Sequence, residues 1–147
     1  MDKVELKQHL IEHHEHIIED LQAEIDSYHT AADLDEDDTM DPEDYAHQSE
    51  AQFVERSLTQ QLNKTQAELD YLKKLTTETL DELGPGSLVE FKDRCIYVSV
   101  PSLPFEHKNK NILCISMSAP IFNLLKGKSQ GDSVKLGKER LEILSIS

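Results

Sequence analysis

The chain has 147 residues and a formal net charge of −14, and its 37% hydrophobic and 5% aromatic content is thin for one large compact core. Residues 1–83 carry 23 acids against 6 Lys/Arg, a net of −17, whereas residues 84–147 carry 6 acids against 9 Lys/Arg, a net of +3. An N-terminal half this negative repels phosphate backbones, which speaks against direct binding to duplex nucleic acid and leaves a protein surface or a metal ion as the better partner.

The first ten residues, MDKVELKQHL, place charges where a secretory leader has its apolar stretch, and no run approaches the length needed to span a bilayer. The expectation is a cytoplasmic protein without a membrane partner. Val4, Ile11, Ile18, Ile25 and Ala32 then fall seven apart, with His14, Leu21 and Tyr28 three residues on and Lys7 breaking this second series. Such 3-4 alternation predicts an apolar seam along one long helix. His9, His13, His14, His16 and His29 crowd this helix, and His9 with His13 has the i, i+4 spacing of a chelating pair. The glutamates interspersed among them, with no HExxH motif or nearby cysteine, make a hydrated face the better reading.

Asp33 to Asp44, DLDEDDTMDPED, holds eight carboxylates in twelve residues and no cation. The helical period resumes beyond it with Ala51, Val54, Leu58, Leu62, Leu69, Leu72 and Leu75. Two such helices joined by a short polar loop fold back on one another, so residues 1–83 are expected to form an all-α antiparallel coiled-coil hairpin with an acidic tip. Each helix then covers the other's seam, which makes a monomer the default. Asp41 before Pro42, followed by Glu43 and Asp44, marks the start of the second helix. Gly84, Pro85 and Gly86 mark its expected end near Leu83 and a hinge to residues 84–147.

Asp41 has a structural task as a helix cap; Asp33, Asp35, Glu36, Asp37 and Asp38 have none, and like charges so close together destabilise the turn that carries them. Asp33, Asp35 and Asp37 match the first, third and fifth ligands of a calcium loop, but the sixth position has Asp38 for Gly and the twelfth has Asp44 for Glu. Magnesium fits better. It keeps several waters, often takes one or two carboxylates from a given protein, and lets another molecule complete its octahedron. Asp33, Asp35, Glu36 and Asp37 are the candidate ligands of such a shared ion, which the chain alone would not hold tightly.

Beyond Gly86 the period changes to alternation, with candidate strands at 88–92, 95–100, 112–118, 133–136 and 141–146 and one short helix, Pro120 to Lys126, closed by Gly127. These elements predict a small α+β domain over 84–147. Cys95 and Cys114 lack CxxC spacing and read as small apolar strand residues rather than zinc or redox ligands. Lys126, Lys128, Lys135, Lys138 and Arg140 cluster on the short helix and the last hairpin; of these Lys126, Lys128 and Lys135 are the candidate partner-binding residues.

Ile115-Ser116-Met117-Ser118-Ala119-Pro120-Ile121, Leu125-Lys126-Gly127-Lys128 and Gly131-Asp132-Ser133-Val134 resemble the ISxxSP…LxGKxxGDxV stretch of the Gre transcript-cleavage factors (GreA/GreB-like), with Ala119 in place of the usual Ser. With the N-terminal hairpin the resemblance covers nearly the whole chain in the family's domain order. It implies an FKBP-like fold for 84–147 and docking of that domain at the rim of the secondary channel of bacterial RNA polymerase. The hairpin would enter that channel, and its tip carboxylates would help hold a magnesium ion and its attacking water while the polymerase cleaves its own backtracked RNA. The family tip reads D-L-x-E-N-A-E-Y; Asp33-Leu34-Asp35-Glu36 supplies the first half, so the resemblance assigns Asp33 and Glu36 as the catalytic tip carboxylates. Asp37 stands where the family has Asn, and extra residues precede Tyr45. The protein would be an accessory factor and not an enzyme; prolyl isomerase activity does not follow from an FKBP-like fold, and no aromatic-lined pocket is evident in a chain without Trp. Relatives with still more acidic tips inhibit polymerase from the same channel, which is the alternative reading. An acidic coiled-coil adaptor unrelated to transcription is a third.

Overall fold

Two long helices open the chain, α1 (Lys3–Ala32) and α2 (Pro42–Lys74), followed by seven short strands and one short helix. The computed structural model describes residues 1–32 and 41–147. The chain divides into two compact units, His9–Tyr71 and Met1–Gln8 together with Leu72–Ser147.

Within His9–Tyr71 the two helices run antiparallel. His14 Nε2 lies 3.2 Å from Glu68 Oε2, and His29 Nδ1 lies 2.9 Å from Glu55 Oε1. Advancing from His14 to His29 along α1 thus means retreating from Glu68 to Glu55 along α2. The same register brings the end of α1 near Ala51 and Gln52, so the first turns of α2, from Pro42 to Glu50, run past it. Nearly all of those residues are exposed. Ile25, Ala51 and Leu69 are buried in the seam, while Ile18, Leu21, Val54, Leu58 and Leu62 are half-buried. His14, the polar member of the seam, is only 3% exposed, and its Nδ1 lies 2.9 Å from the Leu10 carbonyl, so each ring nitrogen has an acceptor.

Near the start of α1 the buried stripe differs from the heptad expectation. Val4 is 59% exposed and Ile11 half-buried, whereas Leu6 and Leu10 are fully buried. A straight α-helix drifts by about 20° per heptad against a strict seven-residue repeat, so a second apolar stripe one position away can take over.

Within the other unit, β1 (Leu88–Glu90), β2 (Arg94–Val98), β3 (Phe105–His107), β4 (Lys110–Ile115) and β7 (Ser145–Ile146) form a five-stranded sheet in the order β3-β4-β2-β1-β7. Only β2 and β4 are parallel, with Ile96 opposite Leu113. A separate ribbon pairs β5 (Ser133–Leu136) with β6 (Glu139–Glu142), and α3 (Pro120–Leu125) packs against β5. Val89, Phe91, Ile96, Val98, Ile115, Phe122, Leu125, Val134 and Ile143 make the core. The fold class is therefore the expected one: an antiparallel coiled-coil hairpin followed by a small α+β domain.

Four local expectations are corrected. α2 ends at Lys74, not near Leu83. Lys7 explains the stop, because its ammonium donates to the carbonyls of Lys73 and Leu75 at 2.9 and 2.7 Å, and Lys3 Nζ reaches the Glu78 carbonyl at 2.6 Å. A cation capping the last carbonyls complements the negative end of the helix dipole. The residue that interrupts the heptads is thus the one that closes the second helix, and burial lowers the pKa of its neighbour Lys3. Lys7→Met should cost about 1–2 kcal/mol in urea unfolding, from two charge-assisted hydrogen bonds at a partly exposed site.

Strand β3 was not expected; Pro101 and Pro104 obscure its three residues, and its sign is the Lys108-Asn109 turn, whose φ values of 50° and 63° suit a tight hairpin. The strand expected over 141–146 is two strands, since Ile143 N donates to Asp132 O and Leu144 N to Glu90 O, carrying the chain from the ribbon to the sheet. Finally, Gly84-Pro85-Gly86-Ser87 is a hydrogen-bonded turn within this unit. Ser87 N donates to Gly84 O at 3.0 Å, and Gly86, at φ +89°, donates to Val98 O at 2.8 Å.

Candidate functional site

Asp33, Asp35, Glu36, Asp37 and Asp38 lie outside the described residues. What borders them is defined. Asp41 caps α2: Asp44 N donates to Asp41 Oδ1 at 2.9 Å, and Asp41 N donates to Asp44 Oδ2 at 3.2 Å. This is a reciprocal capping box around Pro42 at the first helical position. Two of the eight carboxylates are therefore committed to starting a helix, and the remaining acids of the cluster carry the functional expectation. Tyr45, one residue further, is 56% exposed. No Lys or Arg occurs between Lys7 and Arg56, so the acidic segment has no cation near it in sequence on either flank.

The expected docking residues fall in two places. Lys126 follows the last turn of α3 as its C-cap, with its N–H donating to Phe122 O, and Lys128 lies two residues on, past Gly127 at φ +78°. Lys135 is exposed on β5 directly opposite exposed Arg140 on β6, with Lys138 in the turn that joins the strands. Like charges directly opposite one another on a ribbon are destabilising. Arg140→Glu should accordingly raise thermal stability by a few tenths to about 1 kcal/mol.

Three buried groups of the α+β unit are held in their neutral forms. Burial pushes the thiols of Cys95 and Cys114 up to about 11 and the Tyr97 phenol to about 12, so all three are neutral near pH 7. Glu90 is held below the usual carboxylate range: burial opposes this, but the Met1 ammonium at 3.0 Å and Lys110 at 3.2 Å outweigh it. Glu5 is also lowered, by hydrogen bonds from Lys108 and His107. These pairs fasten the first turns of α1 to the sheet. Among the described residues, no three His, Cys, Asp or Glu side chains converge on a point that could hold a metal ion, and no helix is long and apolar enough to cross a membrane.

The molecule is thus defined as an antiparallel helical pair, interrupted by an acid-rich segment, joined to a small α+β domain with exposed cations. No protein-family model matches this chain, and no curated protein matches it in sequence. Among solved structures it is similar to GreA factor homolog 1 (Gfh1) protein of Thermus thermophilus, at 19% identity, with 96% of this chain and 94% of that one covered and a TM-score of 0.33. A second structure, of the transcription factor Gfh1, gives 19% identity, 95% and 92% coverage and a TM-score of 0.33. Superposition that loose does not decide what this chain does.

Proposed function

We propose that this protein is a cytoplasmic transcription elongation factor that enters the secondary channel of bacterial RNA polymerase and stimulates the polymerase's own cleavage of backtracked RNA. The observation that carries this reading is Asp33-Leu34-Asp35-Glu36 between two antiparallel helices, in a chain whose C-terminal half contains the Ile115–Ile121 and Leu125–Val134 motif stretch. The capping box supports it, because it fixes where α2 begins and removes Asp41 and Asp44 from the pool of free ligands.

Asp33 and Glu36 would be the principal carboxylates, with Asp35 and Asp37 beside them. Their donor set is entirely hard oxygen, which suits magnesium rather than zinc or copper. When bound, the ion supplies stabilisation of the attacking and leaving oxygens of an in-line displacement. The chain's own contribution is to bring negative ligands to an ion that the polymerase holds weakly and to orient a water. The nuclease is the polymerase. Lys126, Lys128 and Lys135 would dock the α+β domain on the polymerase surface, one copy of this chain per enzyme.

The second reading is inhibition from the same channel. Asp37 and Asp38 make the segment more acidic than the stimulating motif requires, and extra residues precede Tyr45. One assay separates the readings. A stalled, backtracked elongation complex with magnesium and this protein should yield shortened RNA; slowed nucleotide addition without shortening establishes the inhibitor. A chain that does not bind the polymerase at all leaves the acidic adaptor.

A further inference from the structure

The α+β unit carries a cleft of ≈ 480 Å³ bordered by Asp81 and Glu82 on one side and Lys126 and Lys128 on the other, with Leu83 and Ile146 among its lining residues. Leu83 and Ile146 are half-buried and pack on the core, so they form an apolar floor. The four charged residues are exposed. Among the described residues no ion pair joins the acids to the lysines, and none of the four has a side-chain partner elsewhere.

Charges of opposite sign around one cleft ordinarily neutralise each other when their side chains can meet. Here hydrogen bonds fix the backbone of each wall. On the basic side, Lys126 N donates to Phe122 O, Lys128 N to Leu125 O, and Ser129 N to Asp132 Oδ2 at 2.8 Å. On the acidic side, Gly84 N donates to Ser87 Oγ at 2.9 Å, and that hydroxyl reaches Glu82 O at 3.4 Å. The backbone of both walls is thus in place before an occupant arrives, and only the four charged side chains remain to be ordered.

We infer that this cleft receives a segment of the polymerase that presents an apolar side chain between an acidic and a basic residue, the acid toward Lys126 and Lys128 and the base toward Asp81 and Glu82. The inference rests on the proposed function and gives it a docking polarity. A protein segment fits better than a small molecule, because small-molecule sites bury most of their ligand, whereas here only the floor is apolar and both charged walls are open to solvent, as in the core and rim of a protein interface.

The test measures affinity of the full-length chain for core RNA polymerase, comparing wild type with D81K/E82K and with K126E/K128E. Circular dichroism and thermal melting confirm that each variant folds. Both reversals should weaken binding about tenfold or more. The acidic pair is decisive: if the lysines merely dock on an acidic surface, D81K/E82K adds positive charge and tightens binding. Unchanged or tighter binding by D81K/E82K overturns the cleft while leaving the proposed function standing; unchanged binding by K126E/K128E overturns the cleft and the docking role of these two lysines, while leaving the proposed action on RNA shortening to the separate cleavage assay. A wild-type chain that does not bind the polymerase overturns both.

Discussion

Asp33→Asn and Glu36→Gln should each reduce RNA shortening by a backtracked polymerase about 100-fold, a loss of about 2.7 kcal/mol of transition-state stabilisation. Both substitutions keep side-chain size and remove charge, so the loss reports the ligand oxygen rather than the helices around it. If the two carboxylates serve one ion, the double variant should be little worse than either single one, because groups that act as a unit are not additive. Raising magnesium should restore part of the rate. Asp41→Asn is the matched control, since Asn caps a helix as well as Asp does and Asp41 is occupied by the Asp44 N–H. It should leave shortening intact. Equal activity of wild type, Asp33→Asn and Glu36→Gln would remove the tip carboxylates from the mechanism.

The parts of this molecule that were legible in the sequence are those governed by local chemistry. Asp41-Pro42-Glu43-Asp44 announces the start of α2, and Pro120 with Gly127 brackets α3 to within a residue. What escaped was decided by contacts remote in sequence. Residues 75–83, LTTETLDEL, contain enough Leu and Glu to continue a helix, and the strongest stop signal is Gly84-Pro85-Gly86. The helix ends earlier because Lys7, on the other helix, takes the carbonyls of Lys73 and Leu75. Val4 and Leu6 are both apolar, and periodicity does not choose between the stripes they belong to; packing chooses Leu6. Strand β3 exists because β4 pairs with it, not because Phe105-Glu106-His107 has a pattern of its own. For the site, the acidic segment is plain from composition alone, and the motif stretch places Lys126 and Lys128. The cleft is invisible in one dimension, since Asp81 and Glu82 are far along the chain from the lysines they face.

Gly86→Ala should be the most destabilising single-methyl change in the α+β unit. Gly84 and Gly86 flank the same proline, yet only Gly86 is conformationally required. With Pro85 before it, a φ of +89° and the Ser87 N to Gly84 O hydrogen bond across the turn, the segment has the signature of a type II turn, which demands positive φ at its third position. An alanine there meets two costs. Left-handed backbone costs an L-residue about 1–2 kcal/mol. In addition, the new Cβ would sit 2.8 Å from the Thr76 carbonyl oxygen and 3.2 Å from its methyl, and the carbonyl is backbone that cannot rotate away. Shifting Gly86 to relieve the clash would also strain its 2.8 Å hydrogen bond to Val98 O, in the strand at the centre of the sheet. Together these predict a loss of about 2–4 kcal/mol in chemical denaturation. Gly84→Ala meets nothing within 4 Å and has no positive φ, so it should be neutral or slightly stabilising through the lost freedom of the unfolded chain. A hinge that merely needed flexible glycines would respond alike at both positions; equal effects of Gly84→Ala and Gly86→Ala would show that the turn is not held as the Thr76 and Val98 contacts require.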